Sequence, residues 1–170
     1  MKAFGIAGWS GSGKTTLIEK LIPEFSRLGL SVSVIKHAHK GFDIDRPGKD
    51  SHRHRQAGAG SVLLSGPRRW VLVHELEGEP EPELDECLAR LAPCDLVLVE
   101  GFKRQAIPKV EVHRAAFGRP LMAPENADIV AVAADVDVLT SLPVLDLNEP
   151  AAVAGFIVEC LGLAGRRGGP

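Results

Sequence analysis

Apolar positions along the chain keep two rhythms. Lys2–Ala7 is a short, mostly apolar run and predicts a strand. After Lys14, the residues Leu17, Ile18, Leu21, Ile22 and Phe25 recur at the spacing of one helix face. Pro23 falls inside that pattern. It lacks an amide donor and crowds the carbonyl of Glu19, so a kink or break is expected there. Residues 31–37 predict a second strand, and residues 50–59 a short helix with Asp50 at its N-cap. Residues 61–65 and 69–74 predict two strands, with Gly66-Pro67 supplying the turn between them. Leu84, Cys87, Leu88 and Leu91 mark a further amphipathic helix.

Residues 95–101 read Asp-Leu-Val-Leu-Val-Glu-Gly, an apolar run that suits a central parallel strand covered on both faces. Residues 108–113, 128–133 and 142–147 predict three more strands. Val153, Phe156, Ile157, Cys160 and Leu161 form a last helical stripe, with Asn148 and Pro150 suited to its start. Residues 38–49 and 77–83 are polar connections. This alternation implies an α/β fold. A mainly parallel central sheet would be layered α/β/α, with ligands at the carboxyl ends of the strands. One domain is expected over residues 1–163, with 164–170 as a disordered tail.

Composition changes this picture little. Of the 170 residues, 45% are hydrophobic and 25% charged, as in ordinary globular proteins, and the net charge of −2 suggests neither a nucleic-acid nor a membrane partner. No apolar run is long enough to span a bilayer, and the first strand runs straight into a glycine loop rather than a leader's cleavage site. Three cysteines, Cys87, Cys94 and Cys160, fit neither a disulfide framework nor a zinc ribbon. Cys87 and Cys160 fall on apolar helix faces and read as buried free thiols. A cytoplasmic location is expected.

The chemistry concentrates in Gly8-Trp9-Ser10-Gly11-Ser12-Gly13-Lys14-Thr15, a complete GxxxxGK(S/T) loop between a strand and a helix, which makes the expected domain over residues 1–163 a nucleotide-binding one of the P-loop NTPase kind. Its glycines let successive N–H groups converge on one phosphate. Lys14 would set an ammonium against the outer phosphates, and Thr15 would offer its hydroxyl to Mg²⁺. The helix that follows directs its positive end at the same anion. Lys14 is accordingly a candidate catalytic group.

A second oxygen ligand for the metal should come from a neighbouring strand end. Asp95 and Glu100 bracket the apolar run 96–99, and a parallel strand would bring Glu100, not Asp95, to the loop, where it joins Lys14 as a candidate catalytic group. The segment from His37 to Ser51 is dense in groups that bind phosphate, Mg²⁺ or protons. It reads as a mobile loop sensing the γ-phosphate, with Asp50 or Asp45 reaching the metal. Alternatively His37, His39, His52 and His54 bind a transition metal, although two i,i+2 pairs make a poor ligand set. Arg53, Arg55, Arg68, Arg69, Lys103, Arg104, Lys109 and Arg114 read as a solvated face, except that Lys103-Arg104 could meet an anionic ligand or partner. Asp135, just after a strand, could accept from guanine N1 and N2, a donor pair that adenine lacks.

Taken together, these blocks resemble the MobB family, the adapters of molybdopterin-guanine dinucleotide biosynthesis. The matching elements are Gly8 through Thr16, Ile35-Lys36-His37-Ala38-His39, Asp43 through Ser51, Ala57-Gly58-Ala59 and Leu98-Val99-Glu100-Gly101-Phe102-Lys103. Pro108-Lys109-Val110-Glu111-Val112, followed by Arg114, also matches. The resemblance implies a homodimeric GTP-binding protein with weak GTPase activity. It also implies a MobA-type guanylyltransferase as partner, with molybdopterin itself as a further one. Phosphate contacts would fall on residues 11–16, and Mg²⁺ near Thr15 and Glu100.

Two other classes stay open at this level. A small-molecule kinase would use the same loop with an arginine-bearing lid, for which Arg53, Arg55, Arg68 and Arg69 are available. A nickel-type GTPase metallochaperone would use the histidines.

Overall fold

The computed structural model describes residues 1–38 and 41–163. Residues 1–163, expected to form one domain, divide into two compact units: 1–37 with 84–163 among the described residues, and 38–83.

The first unit is built on six parallel strands: β1 (Lys2–Ala7), β2 (Val32–Lys36), β5 (Leu96–Glu100), β6 (Lys109–His113), β7 (Ile129–Ala134) and β8 (Val144–Asp146). Their order across the sheet is β2-β5-β1-β6-β7-β8. Helices α1 (Lys14–Arg27) and α4 (Pro150–Cys160) pack on one face with Phe4, Ile6, Leu96 and Leu98. Val97, Val99 and Ile35 turn to the other face and meet Leu84 and Cys87 of α3 (Leu84–Ala89). Alternate residues of one strand therefore feed two cores, which is why residues 96–99 are apolar without interruption. The sheet is layered α/β/α, as the alternation of elements implies.

Helix α1 runs unbroken through Pro23. Pro23 and Glu19 are both exposed, so the carbonyl that loses its intrahelical donor faces water. Leu21 and Phe25, on either side, stay buried and hold the helix down.

Strand β6 departs from its sequence signature. The alternation Lys-Val-Glu-Val suggests one solvated face, and Lys109 was expected on the surface. Instead Lys109 and Glu111 are buried, and each is satisfied by backbone groups. The Lys109 ammonium donates to the carbonyls of Gln105 and Ile107 and reaches Asp128 at 3.4 Å. Burial pulls its pKa below the usual lysine range, with Asp128 opposing. Glu111 accepts from the amides of Met122 and Ala123 at 2.8–2.9 Å, tying the segment after β6 to the sheet.

Lys109 also explains a glycine. Gly5 lies opposite it across the β1–β6 pair, and a Cβ on Gly5 would sit 2.5 Å from Lys109 Cγ. Gly5→Ala is expected to destabilise the protein by roughly 1–3 kcal/mol through overpacking. Urea unfolding reads this, and an unchanged midpoint would refute it.

The second unit holds α2 (Asp50–Gln56) and an antiparallel hairpin of β3 (Ser61–Ser65) and β4 (Trp70–His74). The 66–69 turn closes through a Gly66 amide to Arg69 carbonyl bond. Arg55 on α2 is nearly buried and pairs with Asp43, Asp45 and Glu75, so it does not lie on a solvated face. Asp45 does most to push its pKa further up. Asp50 is the first helical residue rather than the cap. Lys49 occupies the N-cap in extended conformation, without a side-chain capping bond. Asp50 instead places its charge in the first turn, where it favours the helix dipole.

The thiols are free, as expected, but Cys160 is exposed and Cys87 and Cys94 are half-buried. Helix α4 buries Val153, Ala154 and Ile157, whereas Cys160, at the end of the same stripe, is the last helical residue and is exposed. No described helix is long and apolar enough to cross a membrane. The proposed tail, 164–170, lies outside the described residues.

Candidate functional site

The site grows from the carboxyl end of β1. Ala7 ends the strand, and Gly8 (φ 140°) turns the chain at once. A Cβ there would lie 2.6 Å from the Val112 carbonyl oxygen and 2.7 Å from Ser12 Oγ, so only glycine fits. Gly11 and Gly13 also take positive φ, and the chain enters α1 at Lys14. The Ser12 amide donates to the Trp9 carbonyl, closing the turn at 3.1 Å.

Within the loop Lys14 folds back over the backbone. Its ammonium donates to the carbonyls of Gly8 (3.0 Å) and Trp9 (2.8 Å). Burial draws its pKa below the ordinary lysine value, and the nearby charge of Glu100 resists that fall.

Glu100 reaches the loop because β5 runs parallel to β1 and pairs Glu100 with Ile6. Its carboxylate accepts the Thr15 hydroxyl at 3.1 and 3.2 Å. Asp95 stands at the other end of β5. There it accepts from the amide and hydroxyl of Ser31, a structural role far from the loop. The parallel register therefore selects Glu100 of the two acids.

Gly101 (φ 102°) turns the chain away after Glu100, and a Cβ on it would press 2.6 Å against His37 Cβ.

Sequence reasoning missed Lys36. It ends β2, pairs with Glu100 in the β2–β5 register, and sets its ammonium 3.4 Å from that carboxylate. Only the strand order reveals this. The loop from Ser10 to Thr16, together with Lys36 and Glu100, bounds a hollow of about 380 Å³. Its lining carries the side-chain oxygens of Ser10, Thr15, Thr16 and Glu100 and the ammonium groups of Lys14 and Lys36. The oxygens of Thr15 and Glu100 suit a hard cation such as Mg²⁺, and the ammonium groups suit phosphate.

Trp9 faces away from this chemistry. Its indole N–H donates to the Pro120 carbonyl at 2.8 Å, and Lys103 and Arg119 lie 5.7 and 5.6 Å from the ring centre. Asp135 follows β7. It accepts the Ala115 amide on one carboxylate oxygen at 3.2 Å and meets Arg114 at 3.4 Å on the other. Arg114 in turn donates to the Ser12 carbonyl at 3.2 Å. A second cavity, about 510 Å³, opens at the carboxyl ends of β7 and β8 beside Asp135, Asp137, Asp146 and Asn148.

Asp50, the third expected metal ligand, belongs to the second unit and opens α2 there. His52 and His54 also lie on α2, and His39 is outside the described residues. Among the described residues no group of three or more His, Cys, Asp or Glu side chains could hold a metal ion.

A protein-family model described as MobB, molybdopterin guanine dinucleotide synthesis protein B, matches residues 3–135. The chain is 40% identical to the molybdopterin-guanine dinucleotide biosynthesis adapter protein of Escherichia coli, over 90% of its own length and 89% of that protein's. It is 43% identical to the protein of the same name from Haemophilus influenzae, over 92% and 88%. Among solved structures, a MobB protein homolog from Bacillus stearothermophilus superposes with a TM-score of 0.69 at 27% identity, covering 95% of this chain and 99% of that one. A second, described as molybdopterin-guanine biosynthesis protein B, gives 0.75 at 26%, covering 94% and 99%.

Proposed function

The chain belongs to the family of molybdopterin guanine dinucleotide synthesis protein B, and from that premise we propose that it is a GTP-binding adapter with weak, Mg²⁺-dependent GTPase activity. The observation that carries the nucleotide reading is the convergence of Lys14, Thr15, Lys36 and Glu100 on the loop hollow. The loop amides from Gly11 to Thr16 would hold the phosphates, with Gly8, Trp9, Ser10, Ser12 and Gly13 shaping their approach. Lys14 would leave the Gly8 and Trp9 carbonyls to meet the outer phosphates. Thr15 and Glu100 would hold Mg²⁺, Glu100 directly or through water. The metal, when bound, supplies neutralisation of charge developing on the transferred phosphoryl group.

Strand β7 lies two strands from β1, about 10 Å across the sheet. The cavity at the ends of β7 and β8 is therefore within reach of a nucleoside whose phosphates occupy the loop. It offers the acceptors that guanine N1 and N2 require.

The scheme assigns no general base, so hydrolysis by the isolated protein should stay below about 1 s⁻¹. The partner would be the guanylyltransferase that joins GMP to molybdopterin, with molybdopterin as a shared ligand, in the cytoplasm. A homodimer is favoured by the hairpin, where Leu63, Leu72 and Trp70 expose apolar surface on one face. A kinase reading is not favoured by the site. Arg55, one of the four arginines of the supposed lid, is already committed to three carboxylates.

The test is nucleotide preference with product analysis and co-purification. GTP preference, release of inorganic phosphate alone and retention of the guanylyltransferase are expected. ATP preference with transfer of phosphate to an acceptor would overturn the reading. Glu100→Gln should weaken the Mg²⁺-dependent part of GTP binding roughly tenfold, the cost of one charge-assisted contact. A magnesium titration matching the unaltered protein would leave Glu100 a structural acid.

A further inference from the structure

We infer that Arg114 and Asp135 form a strut that aims the phosphate loop, with Arg114 the positioning residue and Asp135 its anchor. The inference rests on the phosphate reading of the loop and adds residues that act through it. In a planar trans peptide the carbonyl of one residue and the N–H of the next point in opposite directions, and no described peptide bond is cis. The Arg114 guanidinium holds the Ser12 carbonyl at 3.2 Å. The Gly13 N–H must then point away from Arg114, toward the hollow that Gly13 helps to line. Gly13 takes φ 99°, and a Cβ on it would lie 3.2 Å from Arg114 Nε. The missing side chain is what lets the guanidinium come this close.

Asp135 fixes the guanidinium from behind. One carboxylate oxygen lies 3.4 Å from Arg114 Nη1, and the other accepts the amide of Ala115, the residue after Arg114. Both ends of the strut start from neighbouring strands, β6 and β7, whose paired residues His113 and Ala134 immediately precede Arg114 and Asp135. The sheet therefore delivers a pre-aligned pair to the back of the loop. An arginine suits the task better than a lysine, because its fork can serve a carbonyl and a carboxylate together. On this account Asp135 acts on every polyphosphate ligand alike, because its effect reaches the ligand through the loop amides and not through the base.

The test compares Mg²⁺ complexes of GTP, ITP, ATP and inorganic tripolyphosphate by titration calorimetry. Arg114→Ala and Asp135→Asn should each weaken all four by the same factor, roughly tenfold. The double variant should lose little more than either single one, since both remove one strut. Arg114→Lys should recover part of the loss. Equal loss on tripolyphosphate, in variants whose circular dichroism matches the parent, supports the strut. Loss confined to GTP over ITP in Asp135→Asn would overturn it in favour of base reading, and unchanged tripolyphosphate affinity in a folded Arg114→Ala would overturn it outright. Failure of the unaltered protein to bind tripolyphosphate or GTP would instead sink the phosphate reading itself.

Discussion

Replacing Lys14 with alanine is expected to weaken Mg²⁺–GTP binding about a hundredfold and to leave the unfolding midpoint almost unmoved. Removing one partner of a desolvated, hydrogen-bonded charge pair costs roughly 2–5 kcal/mol of affinity. The fold should not register the change. Lys14 donates only to the carbonyls of Gly8 and Trp9, and the Trp9 carbonyl keeps a second donor in the Ser12 amide. Proton linkage gives a companion result. The anion holds Lys14 protonated, so affinity should fall as pH rises past its lowered pKa, at a less alkaline pH than for an ordinary lysine. Calorimetry across pH checks both. Unchanged GTP affinity in Lys14→Ala would refute the placement of the ammonium.

Gly8→Ala should behave differently, losing both binding and stability. The residue takes φ 140°, which side chains rarely adopt. Its new methyl would press on the Val112 carbonyl oxygen at 2.6 Å. Ser12 Oγ could rotate away, but Val112 is a buried backbone position in β6 and cannot yield cheaply. Strain and overpacking together predict a loss of about 2–4 kcal/mol. A lowered thermal midpoint with weakened GTP binding is expected. A variant as stable as the parent would show that the turn is looser than described. The contrast between the two variants separates a residue that meets the ligand from one that shapes the loop.

Much of this was legible in the chain. The loop motif lay between a strand and a helix, and the apolar run before Glu100 identified a doubly covered strand. Direction alone then chose Glu100 over Asp95. Other features were hidden because they depend on which strands become neighbours. Lys36 reaches Glu100 only because β2 lies beside β5, and Arg114 meets Ser12 only because β6 lies beside β1. Lys109 read as solvated because nothing local in the sequence shows that the Gln105 and Ile107 carbonyls will satisfy a buried charge. Arg55 misled in the same way, since its three carboxylates are spread from Asp43 to Glu75. Asp50 was placed one residue off, at the cap, an error typical of helix boundaries read from residue preference.

The order in which strands lie across the sheet also bears on synthesis. As the chain leaves the ribosome, β1 emerges first, yet both its neighbours are encoded far downstream: Lys2 waits for Leu96, and Gly5 for Lys109. Residues 38–83 can close their own hairpin meanwhile, from contacts close in sequence. Helix α1 can cover Phe4 and Ile6 in that interval, but both edges of β1 stay without their strand partners, and an unpaired edge exposes the nascent chain to aggregation.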